Sequence, residues 1–342
     1  MNRNLPMTLV ALVCLGWGTA GAGRGADAQA TAGTSAGRSP LLLVTWFGPG
    51  SIALPQSADW KPEQLTVYDN GRRPVAQFSN DQIKANISFL LFENRSGTPT
   101  AQGCREDAIS PIVKKYGKVI SRRSDKDAKL ADGVEIATTS YLLDTGEAKA
   151  GGQRNLFGFA GNATTCAEVH ISSVVETAAE GVLMQGALSE FHPNLAYQPT
   201  AIDFFHIGQL LFKSAPGFAA PYFKASLEAM PTDASFATPR RITTDQLVMA
   251  LGMSGDVKGS RALAEKAVAA DPDYPLNYYN LACADAEQGD AVNAKKHLQD
   301  AFDRRKNVIQ GESMPDPTID DSILKLKNDK AFWDFVVSLP KS

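Results

Sequence analysis

Residues 247–256, LVMALGMSGD, and residues 281–290, LACADAEQGD, decide the reading of this chain. Both stretches end on Gly-Asp, at Gly255-Asp256 and Gly289-Asp290, and the two pairs stand 34 residues apart (289 less 255). The residues around them keep the same phase: Leu247 matches Leu281, Ala267 matches Ala301, and Pro272 closes the first unit. A constant period of this length marks stacked helical hairpins, none of which can bury its apolar face alone. Such stacks build curved surfaces on which other molecules sit, so the C-terminal half implies binding rather than chemistry.

Three units can be laid out on this phase. The clearest starts near Pro275, with Tyr278, Leu281 and Ala282 on its first helix and Ala294, Leu298 and Ala301 on its second. The unit before it uses Leu247, Gly255, Ser260, Ala264, Ala267 and Pro272. The earliest reads Phe204, Ile207, Gly208 and Leu211, then Ala219, Phe223, Ser226 and Pro231, and the spacer Thr232 to Arg240 separates it from the second. Small residues where two helices cross let them approach, and large ones fill the gaps between hairpins. Residues 201–308 resemble tetratricopeptide repeats in these positions. The resemblance implies a concave groove lined by the first helices, here by Phe205, Gln209, Phe212 and Lys213, by Asp245, Met249 and Met253, and by Tyr279, Cys283 and Glu287. An apolar strip with a few polar handles suits an extended peptide or a helix laid along it, unless another part of the chain fills it. Asp321 to Leu326 and Ala331 to Leu339, with Phe332, Trp333, Phe335 and Val336, read as capping helices.

Upstream the periodicity changes. Leu41 to Phe47 is an apolar run closed by Gly48-Pro49-Gly50. Leu65 to Tyr68 ends at Asp69-Asn70-Gly71, a hairpin signal, with Pro74 to Phe78 as the returning strand. Strand patterns recur at Ile87 to Phe92, Val119 to Arg122, Val134 to Leu143, Asn155 to Phe159 and Cys166 to Val175. One helix is expected from Glu106 to Tyr116, with Pro111 in its first turn. A second is expected from Ala178 to Phe191, burying Val182, Leu183, Leu188 and Phe191 and stopped by His192-Pro193. The fold class expected is α+β: a mostly antiparallel sheet with packed helices over 41–198, then an all-α hairpin array over 199–342. In element order the first part is similar to the PsbP/Mog1-like fold, whose last helix also ends near a Ser-x-Phe, here Ser189 and Phe191.

Residues 1–30 read as a secretory signal, with Arg3, an apolar core from Leu5 to Trp17, and Ala28-Gln29-Ala30 as a small-x-small cleavage site. Residues 31–40 then form a flexible leader. No later segment is apolar enough to span a bilayer, so no integral membrane segment is expected after cleavage, and the compartment is periplasmic or extracellular. A formal net charge of -3 argues against nucleic acid, whose binders need a clustered basic footprint. The basic run Lys114, Lys115, Lys118, Arg122, Arg123, Lys126 and Lys129 is interrupted by acids and reads as a solvated helix-and-strand face.

Three cysteines follow the leader. An oxidising compartment favours a disulfide between Cys104 and Cys166, which share one half of the chain, and leaves Cys283 free. Cys166, Glu168 and His170 alternate on one strand face, so with Cys104 they are the alternative catalytic set: a thiolate–imidazole pair oriented by a carboxylate. A metal site wants three or four ligands at a recognised spacing, and none is expected, nor any cofactor. His192, His206 and His297 do not cluster, and His297 is expected on the outer face of a repeat helix. The leading expectation is an exported, non-enzymatic scaffold that binds a protein or peptide. The alternative is a hydrolase or redox enzyme in the α+β part with the repeats as substrate platform. A third reading is a small-ligand carrier with a pocket between sheet and helix.

Overall fold

The computed structural model describes residues 40–144, 152–173 and 178–340, so the expected signal and leader lie outside the described residues. Asp69-Asn70-Gly71 does make the expected hairpin turn. It joins β3 (Lys61–Tyr68) to β4 (Arg73–Asn80), with φ of 51°, 54° and 93° at its three residues. Asp, Asn and Gly are the residue types that visit this left-handed region at least cost, so the tripeptide explains the turn.

Short strands β1 (Leu42–Val44), β2 (Ser51–Ala53) and β10 (His192–Asn194) form a three-stranded antiparallel sheet in the order β1-β2-β10. The larger sheet adds β5 (Ala85–Glu93), β6 (Ile120–Lys129), β7 (Glu135–Leu143), β8 (Gln153–Gly161) and β9 (Thr165–Ser173). Its order is β3-β4-β5-β9-β8-β7-β6, antiparallel throughout. The mostly antiparallel sheet is therefore as expected. His192-Pro193 does more than stop a helix, because Pro193 of β10 pairs with Ile52 of β2.

Helix α1 (Ala101–Tyr116) packs over β7 and β8. It starts five residues earlier than expected, because the Thr100 side chain caps it by accepting from the Gly103 amide at 3.1 Å. Pro111 consequently lies in the helix interior and not in its first turn. Helix α2 (Ala178–Ala187) is shorter than expected, and a 3-10 turn at Leu188–Glu190 completes the segment. Its buried stripe is also different. Val182 is 73% exposed and Leu183 44%, while Met184, Ala187 and Phe191 are buried. Met184, Ala187, Leu188 and Phe191 form a second i, i+3, i+4, i+7 set in the same stretch, and that set faces the sheet.

The C-terminal half is helical, as the period required. α3 (Ala201–Phe212) pairs with α4 (Pro216–Ala229), α5 (Ala237–Met253) with α6 (Val257–Ala270), and α7 (Pro275–Glu287) with α8 (Ala291–Asp303). A last helix, α9 (Lys330–Ser338), lies on α8. The repeated Gly-Asp has one physical cause. Gly255 and Gly289 end α5 and α7 at φ of 90° and 76°. The next residues, Asp256 and Asp290, cap α6 and α8 by accepting from the amides of Gly259 and Asn293 at 2.9 and 3.0 Å. Small residues hold the crossings: a Cβ on Gly208 would come within 2.7 Å of the Phe223 ring. Ser226 and Ser260 donate across their hairpins to the carbonyls of Ala201 and Val248 at 2.7 and 2.9 Å. The expected spacer is shorter than the sequence suggests, since α5 begins at Ala237 and takes up its last four residues.

Apolar burial is the main stabilising term. One cluster joins the inner face of the large sheet (Ile87, Phe89, Val169, Ile171) to the small sheet and on to Ile207, Tyr222, Phe223, Leu247 and Ala250 of α3, α4 and α5. A second lies between α7, α8 and α9, around Tyr279, Leu298, Ile323 and Phe332. The third lies under α1, on the opposite sheet face, and contains Phe157, Phe159, Cys104 and Cys166.

Candidate functional site

The first helices of the three hairpins supply the inner-wall residues, and the structure divides these into two groups. On α7 they are covered by the chain's own later segment. The Tyr279 hydroxyl donates to Asp320 Oδ2 at 3.3 Å, and Cys283 Sγ lies 3.8 Å from Asp320 Oδ1. Glu287 accepts from Ser322 Oγ at 2.8 Å and pairs with Lys325. One turn earlier, Tyr274 donates to Glu312 Oε2 at 3.0 Å. Ile323 of the covering segment is fully buried against the aromatic residues of α7. Tyr279, Cys283 and Glu287 therefore do not line an open groove, which corrects the expectation. Residues 312–325 cover this part of the wall.

The chemistry of this covered stretch follows from burial. Desolvation pushes the Cys283 thiol well above its ordinary value, and the Asp320 carboxylate adds to that. Burial thus disfavours the thiolate form of this free thiol. Tyr274 and Tyr279 are raised for the same reason. Burial works against the charge on Glu287, yet the Lys325 and Ser322 contacts hold its carboxyl below the ordinary range. Asp245, on α5, accepts from Asn280 Nδ2 at 2.8 Å and is pushed up to about 6 by burial. It ties α5 to α7 and is closed to a ligand.

The remaining wall is open. Met249 is 38% exposed and Met253 55%, one turn apart on α5. Gln209 Nε2 donates to Gln246 Oε1 at 3.1 Å, bridging α3 to α5, and Lys213 is exposed at the end of α3. Phe205 and Phe212 are half-buried, each with its ring centre 5.9 Å from that of Phe223. Sequence reading missed Leu210, 38% exposed on α3 and outside the inner-wall phase.

The alternative catalytic set lies on the sheet. Cys104 and Cys166 form a disulfide with Cα atoms 5.6 Å apart, as expected, so neither sulfur is available as a thiolate. Glu168 and His170 share the Cys166 face of β9. Desolvation raises the Glu168 carboxyl to about 7, against the pull of Arg73. His170 stacks on Phe157 with ring centres 4.1 Å apart, and its Nε2 is 2.9 Å from Asn155 Oδ1. Burial lowers it to about 4, so it is neutral at pH 7. Among the described residues no three His, Cys, Asp or Glu side chains are placed to hold a metal ion, and no helix is long and apolar enough to cross a membrane. His297 is not an outer-face residue, contrary to expectation. Its Nδ1 lies 2.6 Å from Oδ2 of the fully buried Asp285, which also pairs with Arg261. His206 is half-buried on α3 and lowered by desolvation.

No protein-family model matches the chain, and no curated protein matches it. Among solved structures, the tetratricopeptide domain of Sgt2 from Aspergillus fumigatus aligns with 42% of this chain and 87% of its own length, at 18% identity and a TM-score of 0.30. The helical-hairpin array therefore rests on the helix pairing, caps and crossings described above.

Proposed function

We propose that the chain is an exported, non-enzymatic scaffold whose tetratricopeptide-like inner wall holds an extended segment of a partner protein. One observation carries the reading: the α7 part of that wall is already covered by polypeptide from outside the repeats, the chain's own residues 312–325, which pack there as loop, turn and the start of a 3-10 helix at Ile323–Leu326. The adjoining α3 and α5 part offers Met249 and Met253 beside the Gln209–Gln246 amides and Lys213. Polarisable methionines next to fixed hydrogen-bonding groups suit backbone and apolar side chains together. The Cys104–Cys166 disulfide supports an oxidising compartment.

A photo-reactive residue placed at Met253 should cross-link one discrete partner in the native envelope. The same residue at Val292, 80% exposed on α8, should not. Met249→Asp should remove the adduct while leaving the melting temperature unchanged. Equal adducts at both positions, or an adduct indifferent to Met249→Asp, would refute the reading.

A further inference from the structure

Away from the helical array, α1 and the edge strand β6 enclose a cleft of about 370 Å³. That volume lies within the range of small-molecule sites, roughly 300–1,000 Å³. Its floor is apolar, made by Ile109 and Val113 one turn apart on α1. Arg105 forms one end: its side chain is only 15% exposed, and its ion pair with Asp127 is loose, at 3.6 Å. Asp127 is itself 66% exposed, so water competes for that contact. Arg123 stands across the cleft. Its partner Asp125 is well supplied, accepting from Arg123 Nη2 at 2.7 Å and from Thr139 Oγ1 at 2.8 Å. Burial works against Asp125's charge, but these hydrogen bonds bring its carboxyl below the ordinary range. Arg105 also acts on Asp125, so the two arginines share its single negative charge and the cleft keeps a net positive one.

Two further groups point the same way. Ser110, exposed on α1, lines the cleft. Lys114 stands at the mouth, offset by Glu106, which leaves the lining with three cations against two acids. Lys115 follows on α1 and Lys126 on β6, in a chain whose net charge is -3. One wall of the cleft is tied down. Cys104, next to Arg105, is stapled to β9, so the back wall is fixed before anything binds.

We propose that this cleft binds a small amphipathic carboxylate, its anionic head held by Arg105 and Arg123 and its apolar body laid on Ile109 and Val113. A carboxylate satisfies the forked guanidinium donors. A bare inorganic anion would leave the apolar floor wet, and a neutral amphiphile would leave Arg105 without its match. The inference is independent of the scaffold reading, since it involves neither the inner wall nor any partner protein.

The test uses the full chain and three probes: octanoate, octanol and inorganic phosphate, titrated by calorimetry and by amide chemical shifts. Octanoate should saturate a single site, with shifts confined to residues 105–125, and should bind at least about tenfold more tightly than either other probe. Arg105→Gln should weaken octanoate about tenfold or more, the scale of one charge-assisted hydrogen bond, without moving the melting temperature. Val113→Asn should weaken octanoate and leave phosphate unchanged, which keeps the test open even if one variant folds poorly. Octanol or phosphate matching octanoate, shifts elsewhere in the chain, or an unchanged affinity in a folded Arg105→Gln protein would each overturn the proposal.

Discussion

Replacing Glu168 by Gln should stabilise this protein, and by an amount that depends steeply on pH. Glu168 lies on β9 between Leu90 and Phe159 of the neighbouring strands and is only 8% exposed. Its carboxyl rises from the ordinary 4.5 to about 7 because burial penalises the charged form more than Arg73 favours it. The folded state therefore holds the Glu168 proton more tightly than the unfolded chain does. The resulting stabilisation is fully present below pH 4.5 and is lost as pH rises through about 7. Above pH 8 the ionised side chain costs the folded state roughly 3 kcal/mol, at about 1.4 kcal/mol for each tenfold change in proton affinity. Gln keeps the shape and has no charge to bury, so Glu168→Gln should gain about that much at pH 9 and close to nothing at pH 4. His170 has an opposite dependence. Its contribution is present above 6.5 and lost as pH falls through about 4. Both proteins carry it, so it cancels in the difference. Guanidinium unfolding at pH 4, 7 and 9, followed by the fluorescence of the buried Trp60, reads the effect. A difference that does not grow from pH 4 to pH 9, or a variant less stable at pH 9, would refute the assignment of Glu168 as a buried, unmatched carboxyl.

Two further outcomes can be checked in the same assay. Paired Cys104→Ser and Cys166→Ser substitutions release a loop with a sequence separation of 62 and should cost about 4 kcal/mol in the chain-entropy model, with reduction of the parent chain giving the same loss. Asp256→Ala and Asp290→Ala should each cost about 1 kcal/mol through the lost cap, and an effect at one position without the other would contradict the equivalence of the two turns.

The parts legible in advance are those fixed by local rules. Asp69-Asn70-Gly71 and the two Gly-Asp turns announce themselves because few residue types accept positive φ or cap a helix. The strand run expected over Cys166 to Val175 is legible from its apolar content as far as Ser173, its last two residues lying outside the described ones, and the disulfide from compartment and from the two cysteines sharing one half of the chain. What escaped notice depends on distant contacts. β2 and β10 are three residues each, too short for alternation, and exist because they pair with one another. The first turn of α1, Ala101 to Cys104, has no apolar stripe and is held by the Thr100 cap. In α2 two helical stripes coexist, and only the sheet beneath selects between them. The covered state of Tyr279, Cys283 and Glu287 could not be read locally, because Asp320, Ser322 and Lys325 reach them across 35 to 41 residues. The side chains of Asn94 and Asn162 likewise make loop-closing hydrogen bonds to distant carbonyls, Asn94 to Asn162 O at 2.6 Å and Asn162 to Leu195 O at 3.0 Å.

Tyr222 of α4 is fully buried, and its hydroxyl donates to Val44 O of β1 at 3.3 Å. The first hairpin thus shares an interior with the strands that precede it, through Ile207, Leu211 and Phe223 as well. The first pair of helices therefore cannot be separated from the strands without exposing that interior. A fragment begun at residue 199 would carry an orphaned oily flank and clump.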